Sequence, residues 1–302
     1  MRTLFLILLS FVFFTDVTAQ KGDKKLQRQV EELAKNFNGT IGIYVKNLNN
    51  GKTVSINGDT IFPTASIVKI PILIGVMDKI NRGELSYNQS LKYRDSLLYA
   101  GVDILGAFQD TQRIDLGKVM MLMMTVSDNT ASLWLQSLAG TGTRINQIMD
   151  SLGFKNIRVN SRTPGREGNR TQFGWGQMTP AEMATLVERI YKGEIISKAA
   201  SEKMLRLMNR NFFDNEGISQ IPPYVTVFSK NGAVNQTRNE VILVKAEKAE
   251  YVFCIATKNN KDASWNDSNE AWLLTRKLSK LLWNYFEPRD DWQPQADASK
   301  FH

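Results

Sequence analysis

The segment PTASIVKIPILIGVM, residues 63–77, sets a serine and a lysine three residues apart in an otherwise apolar run. A serine near a helix start has a free backbone N–H, and the helix dipole adds positive potential there. One turn on, the amine of Lys69 can reach the hydroxyl of Ser66. Apolar surroundings lower the pKa of an ammonium group, so the neutral amine can accept the serine proton. Pro71 has no backbone N–H, which a helix tolerates near its first turn. The sequence therefore locates the start of the helix only to within a residue or two.

Composition narrows the chemistry that this pair can serve. The only histidine is His302, which excludes a packed Ser-His-Asp or Cys-His arrangement. Cys254 is the only cysteine, so we expect no internal disulfide, no metal and no cofactor. A Ser-x-x-Lys pair alone is weak evidence, because Lys69 could instead extend its amine to solvent from a half-buried helix.

Residues 1–19 have the pattern of an exported protein. A basic start, an apolar block from Leu4 to Phe14 and a small-residue exit predict a signal peptide cleaved near Ala19. We therefore expect a periplasmic or secreted protein without a membrane span, since no later stretch is long enough to cross a bilayer. The net charge of +8 is scattered and not interleaved with aromatic residues, so nucleic acid is not an expected partner. A monomer is the default expectation.

Hydrophobic periodicity predicts the order of elements. Residues 24–38 read as a helix, followed by two strands that turn at Asn49-Asn50-Gly51. Helical and loop signals follow, and a further helix begins at Thr179-Pro180. Three strands after residue 222 and a helix from about Asn269 to Phe286 complete the pattern. Strands at both ends with helices between predict an α+β fold, in which one antiparallel sheet forms from both termini around an inserted all-α region.

Two further motifs accompany the Ser66 pair. Ser127-Asp128-Asn129 begins 61 residues after Ser66, and Lys230-Asn231-Gly232 begins 103 residues later. Their order and spacing resemble the Ser-x-x-Lys, Ser-Asp-Asn and Lys-Thr-Gly set of class A β-lactamases and penicillin-binding proteins. The resemblance extends to about residue 286 and implies a class A β-lactamase-like α/β/α sandwich. The expected boundaries are a signal peptide at 1–19, a catalytic domain at 20–286 and a polar tail at 287–302; within the domain the α/β part covers about 20–62 and 222–286, and the all-α part about 63–221.

The same resemblance implies catalytic roles. Ser66 is expected to be the acylated nucleophile, with the backbone N–H groups of Ser66 and Ala233 as the oxyanion hole. Lys69 would accept the serine proton or poise its charge. Ser127 would relay a proton to the leaving nitrogen, and Asn129 would hold Lys69 and the substrate amide.

The third motif is expected to bind a carboxylate. Lys230 would attract the carboxylate of a β-lactam or of a peptide C-terminus, with Arg238 as a second cation. Asn231 stands where the family has a threonine, and its amide NH2 can still donate to a carboxylate. Asp128 is expected to brace its loop rather than to take part in the chemistry.

A second departure from the family concerns deacylation. Class A enzymes activate the hydrolytic water with a glutamate in a Glu-x-x-x-Asn pattern, and alignment on Pro164 or Pro180 puts Thr163 in that place. Glu167 is the one carboxylate of this loop, with Asn169 two residues later. Glu167 is either a displaced general base or a solvated loop charge, and the second interpretation is favoured.

Three functions remain open from the sequence. The preferred one is a class A β-lactamase-type serine hydrolase that is acylated at Ser66 and releases the acyl group slowly. The second is a D-alanyl-D-alanine peptidase, or another amide or ester hydrolase, on the same scaffold. The third is a non-catalytic module that binds cell-wall peptides or β-lactams. In each case the expected partner is a β-lactam or a peptidoglycan peptide that carries a carboxylate.

Overall fold

The computed structural model describes residues 22–101 and 103–295. The predicted signal peptide and the last seven residues of the predicted tail lie outside the described residues. Within the described part the helices are α1 (Lys24–Ala34), α2 (Lys69–Asn81), α3 (Leu116–Thr125), α4 (Asn129–Leu138), α5 (Thr141–Ser151), α6 (Glu167–Phe173), α7 (Pro180–Tyr191), α8 (Lys198–Met208) and α9 (Glu270–Phe286). The strands there are β1 (Thr40–Asn47), β2 (Thr53–Ile56), β3 (Phe62–Pro63), β4 (Ser90–Lys92), β5 (Arg113–Asp115), β6 (Arg158–Val159), β7 (Gly176–Met178), β8 (Thr226–Val234), β9 (Thr237–Lys245) and β10 (Glu250–Lys258).

The main sheet joins the two ends of the described chain. Its strands run antiparallel in the order β2-β1-β10-β9-β8, so the first hairpin pairs with the last three strands through β1 and β10. This arrangement confirms the predicted α+β fold, with its antiparallel sheet built from both termini. Short sheets, β3-β7-β6 and β4-β5, lie in the inserted helical region.

Both faces of the central strand β10 are buried, and its residues alternate between two cores. Tyr251, Phe253 and Ile255 pack with α1 and α9, whereas Val252 and Cys254 pack with the inserted helices. Successive side chains on a strand point to opposite faces, so a strand covered on both sides needs a continuous apolar sequence. The run YVFCIA meets this need, and the sheet is thereby fixed between two helical layers.

Helix boundaries follow local capping chemistry. The predicted cap at Thr179 is confirmed, because its hydroxyl accepts a hydrogen bond from the Glu182 N–H and Pro180 is the first residue of α7. Asn269 caps α9 in the same way. The first helix ends at Ala34 rather than near residue 38, since the following Asn-Phe-Asn-Gly segment has poor helix propensity and turns the chain into β1.

The described part of the polar tail lies against the body. Glu287 Oε1 accepts hydrogen bonds from the backbone N–H groups of Lys248 and Ala249, and the Trp292 carbonyl accepts one from Lys280. Within residues 22–101 and 103–295, no helix combines the length and the apolar character needed to cross a bilayer.

Candidate active site

Ser66 and Lys69 are brought together by a change of helix type. Ser66 lies in a 3₁₀ turn, Ala65–Val68, and α2 begins directly after it at Lys69. Residues three apart in a 3₁₀ turn lie above one another, which aligns the two side chains better than an α-helix would. Pro71 is the third residue of α2, where its missing N–H leaves no intrahelical hydrogen bond unmade. This 3₁₀ turn explains why the sequence alone does not give a single residue at which the helix begins.

The Lys69 amine is the centre of a buried hydrogen-bond cluster. Its side chain is fully buried, and Nζ lies 3.1 Å from Ser66 Oγ, 2.9 Å from Ser127 Oγ and 2.9 Å from Asn129 Oδ1. Nζ also donates to the Ser127 carbonyl oxygen. An ammonium group has only three N–H donors for these four oxygens. A neutral amine donates two hydrogen bonds and can accept one from a serine hydroxyl, which likewise accounts for three of the four contacts.

Burial lowers the pKa of Lys69 from 10.5 to about 7. The carboxylates of Asp103 and Asp128 oppose this shift, because negative charges nearby stabilise the ammonium form. Desolvation is the larger effect. The amine is therefore poised to gain or lose a proton near neutral pH, as a general base requires.

Asp128 holds the second motif in place. Its carboxylate caps α4 by accepting from the Ala131 N–H at 2.7 Å, and it accepts from the Leu105 N–H at 2.9 Å. The preceding residue, Ser127, has a φ of +59°, in the left-handed region that a non-glycine residue seldom adopts. The two bonds to Asp128 stabilise this backbone conformation, which directs the Ser127 hydroxyl towards Lys69.

The third motif lies beside the nucleophile through close backbone packing. Strand β8 packs against the 3₁₀ turn, and a Cβ atom at Gly232 would lie only 2.7 Å from Ser66 N and 2.8 Å from the Thr64 carbonyl oxygen. Glycine is therefore required for this approach. Lys230 is fully buried next to it and donates to the carbonyl and Oδ1 of Asn231, at 2.9 Å and 3.1 Å. Burial and the charge of Lys69 lower the pKa of Lys230.

Arg238 does not face a ligand, which corrects its expected role as a second cation for the carboxylate. Its guanidinium is buried between the rings of Trp265 and Trp272, with Cζ 4.3 Å and 4.8 Å from the two centroids. The same group donates to four backbone carbonyls, those of Asn235, Thr237, Ala263 and Ser264. The planar fork of arginine suits this bracing role, in which both terminal nitrogens donate to two carbonyls each, while the buried Nε has no hydrogen-bond partner among the described residues.

The loop between β6 and β7 offers no carboxylate to the nucleophile among the residues described. Thr163 is buried, donates to the Ser161 carbonyl at 2.9 Å and packs against Gly142. Glu167 is exposed at the start of α6 and accepts from the Gly165 N–H at 3.1 Å. This position fits the favoured interpretation of Glu167 as a solvated loop charge.

The motifs border one cavity of about 740 Å³. Its walls include, from the expected site, Ser66, Ser127, Asn129, Asn231, Gly232 and Ala233. Other lining residues were not anticipated from the sequence, namely Glu216 and Glu240, with Phe212 and Trp265 at the rim. A signal for Glu240 did exist: it is a carboxylate directly before the apolar strand sequence VILV, where a charged residue is seldom buried without a purpose.

Known proteins share this sequence pattern and architecture. The sequence model of the β-lactamase enzyme family matches residues 25–286. The β-lactamase VEB-1 of Pseudomonas aeruginosa is 24% identical over 299 residues, which cover 94% of this chain and 98% of that protein. The structure of a mutant of PBP-A, an acyl-enzyme complex with penicillin G, has a TM-score of 0.79 at 25% identity and covers 90% of this chain and 100% of its own.

A β-lactamase structure from Chitinophaga pinensis, at 21% identity, shares the fold with a TM-score of 0.77 and covers 86% of this chain and 99% of its own. The family match spans the described sheet, the inserted helices and all three motifs. The chain belongs to the β-lactamase enzyme family, and its clustered serine and lysine identify it as a serine hydrolase of that family.

Proposed function

We propose that the protein is an exported hydrolase that β-lactams acylate at Ser66 and that releases the acyl group slowly. The observation that carries this proposal is the Lys69 amine, fully buried and within hydrogen-bond distance of the Ser66 and Ser127 hydroxyls, with its pKa lowered to about 7. Export is supported by the signal-like residues 1–19. N-terminal sequencing of the exported protein should find Gln20 as its first residue; an intact Met1 on exported protein would reject cleavage.

Acylation follows from this geometry. Neutral Lys69 accepts the Ser66 proton as Oγ forms a bond with the lactam carbonyl carbon. The backbone N–H groups of Ser66 and Ala233 are proposed to stabilise the negative oxygen that develops. Ser127 then gives its proton to the lactam nitrogen as the C–N bond breaks, and Lys69 returns a proton to Ser127. No proton is gained or lost overall, and the product is an ester at Ser66.

Slow release is inferred from the loop between β6 and β7. Hydrolysis of the ester needs a water molecule and a group that accepts its proton. Thr163, which aligns in sequence with the family glutamate, donates its hydroxyl to the Ser161 carbonyl, while Glu167 is exposed. Water is therefore activated poorly at the ester.

A time-resolved mass measurement after mixing with penicillin G tests this function. We expect a mass increase of one penicillin within the mixing time of a manual experiment, which then decays over a much longer period. The variant Ser66→Ala should show no increase, and Ser96→Ala, which changes an exposed serine outside the cavity, should behave like the parent. Absence of any adduct on the parent protein would reject the proposal, and rapid decay would reject slow release.

A second candidate is a D-alanyl-D-alanine peptidase. The absence of the family glutamate from the sequence of this loop favours it, because Thr163 aligns with that position. Release of D-alanine from a peptide that ends in this pair would support the peptidase. A pure binding module is disfavoured, because ligand capture alone has no need for a desolvated amine at the Ser66 hydroxyl.

A further inference from the structure

A buried carboxyl group lines the cavity opposite the third motif. Glu240 on β9 pairs in register with Asn231 on β8, so the two side chains project from the same face of the sheet. Glu240 is only 1% exposed and borders the cavity. Its Oε2 accepts from the Gly217 N–H at 2.9 Å, whereas Oε1 has no hydrogen-bond partner among the described residues. A buried polar atom beside a cavity and without a partner points to a ligand group.

The surroundings of Glu240 favour its neutral form. Burial raises the pKa of Glu240 to about 8; the Gly217 N–H and Lys230 oppose the rise, and neighbouring carboxylates add to it. The Gly217 bond fixes Oε2 as an acceptor, which leaves Oε1 to carry the proton. The titratable groups that face it are Lys230 on β8, the Cys254 thiol on β10, and Asp214 and Glu216 on the segment after α8, with Glu216 paired to Arg276.

The expected carboxylate subsite lacks a donor that Glu240 can supply. Arg238 is committed to backbone carbonyls and two indole rings, so it adds no second cation. Lys230 already uses two of its three N–H groups on Asn231. A further buried cation here would lose its hydration without gaining a partner, whereas a carboxylic acid offers a donor without adding positive charge.

We propose that Glu240 recognises the substrate carboxylate by donating a hydrogen bond from Oε1, beside Lys230 and Asn231. The assignment rests on the proposed function and makes Glu240 a specificity-determining residue of that site. A carboxylate ligand is thus held by the Lys230 amine, the Asn231 amide and a carboxylic acid. An ionised Glu240 would instead attract a substrate ammonium group, and the two arrangements respond to pH in opposite directions.

The experiment is the second-order rate constant of acylation between pH 7 and 9.5, measured with penicillin G and with its methyl ester. For penicillin G we expect the constant to fall about fivefold from pH 8 to pH 9 and about tenfold per pH unit beyond that, as Oε1 loses its proton. Glu240→Gln should abolish this fall, because the amide retains an N–H donor and the acceptor for Gly217 but does not titrate. The ester should show no fall with either protein.

A matched control is Asp267→Asn, which alters an exposed carboxylate of the same cavity and should keep the parent profile. The assignment is overturned if Glu240→Gln shows the same fall as the parent, since Lys230 would then be the titrating group. It is also overturned if the ester falls equally, or if an amine-bearing β-lactam acylates faster as pH rises through 8 and Glu240→Gln removes that gain.

Failure of the proposed function is recognised separately. If the parent forms no adduct at any pH, the affinity of Ser66→Ala for penicillin G is measured by calorimetry instead. Weakening of that affinity above pH 8, abolished by adding Glu240→Gln, supports the Glu240 assignment without acylation. A pH-independent affinity overturns it.

Discussion

Replacing Asp103 by asparagine should move the acid limb of acylation to lower pH. Asp103 raises the pKa of Lys69 against the effect of burial, so loss of its charge lowers that pKa further. The carboxylate accepts from the backbone N–H and the hydroxyl of Thr130, at 2.7 Å and 3.1 Å. Asparagine keeps an acceptor oxygen for these donors, which limits the change to charge.

The size of the effect at stake follows from the two pKa values of the amine. At the ordinary value of 10.5 only about 0.03% of Lys69 would be neutral at pH 7, whereas at about 7 roughly half is neutral. Burial therefore increases the supply of base by a factor on the order of 1000. Lys69→Arg, which cannot supply a neutral base, should reduce acylation by roughly 100- to 10,000-fold.

Stopped-flow acylation between pH 5 and 8 checks this reasoning. The parent should rise tenfold per pH unit and level off near pH 7, and Asp103→Asn should level off at lower pH. Asp110→Asn is the matched control, because Asp110 pairs with Arg94 on the surface and does not line the cavity. A parent profile that is flat over this range, or a shift of Asp103→Asn to higher pH, would refute the role assigned to the amine.

Three further predictions concern the framework of the site. Arg238→Lys should lower the free energy of unfolding by about 3 kcal/mol through lost charge-assisted bonds, and change acylation less than twofold; weaker penicillin binding at unchanged stability in urea titrations would restore its ligand role. Gly142→Ala should destabilise the protein by about 1–3 kcal/mol, because the new methyl group collides with Thr163 Oγ1; thermal unfolding of Gly168→Ala, where nothing lies within 4 Å, is the comparison. Asp128→Ala should remove about 1–2 kcal/mol of capping energy and slow acylation, with Asp128→Asn restoring part of both; a normal acylation rate in the alanine variant would contradict the bracing of Ser127.

The sheet and the three motifs could be predicted because local signals determine them. The apolar runs of β9 and β10, the cap at Thr179 and the spacing of Ser66, Ser127 and Lys230 are all visible along the chain. The 3₁₀ turn was not visible, since packing of β8 against it decides between helix types over a single turn. Local propensity is too weak to settle that choice.

The partners of Arg238 and Glu240 could not be predicted from the sequence. Both lie on β9 two residues apart, so strand alternation places them on the same face. The charge of Arg238 suggested a ligand, but the carbonyls that hold its guanidinium include those of Ala263 and Ser264, which only the fold brings near. For Glu240 the partner on β8 is likewise set by register across the hairpin. A charged residue in an apolar segment indicates that the side chain needs partners, but the sequence does not show which residues those partners are.

Strand β8 is the last strand of the main sheet, and the turn that carries Ser66 packs against the face of the sheet at Gly232 and also contacts β9. The position of the nucleophile therefore depends on how closely this turn lies on the two strands. A variant that adds a side chain at position 232 should lose stability together with reactivity, and a covalent adduct that holds the turn in place should slow unfolding on heating.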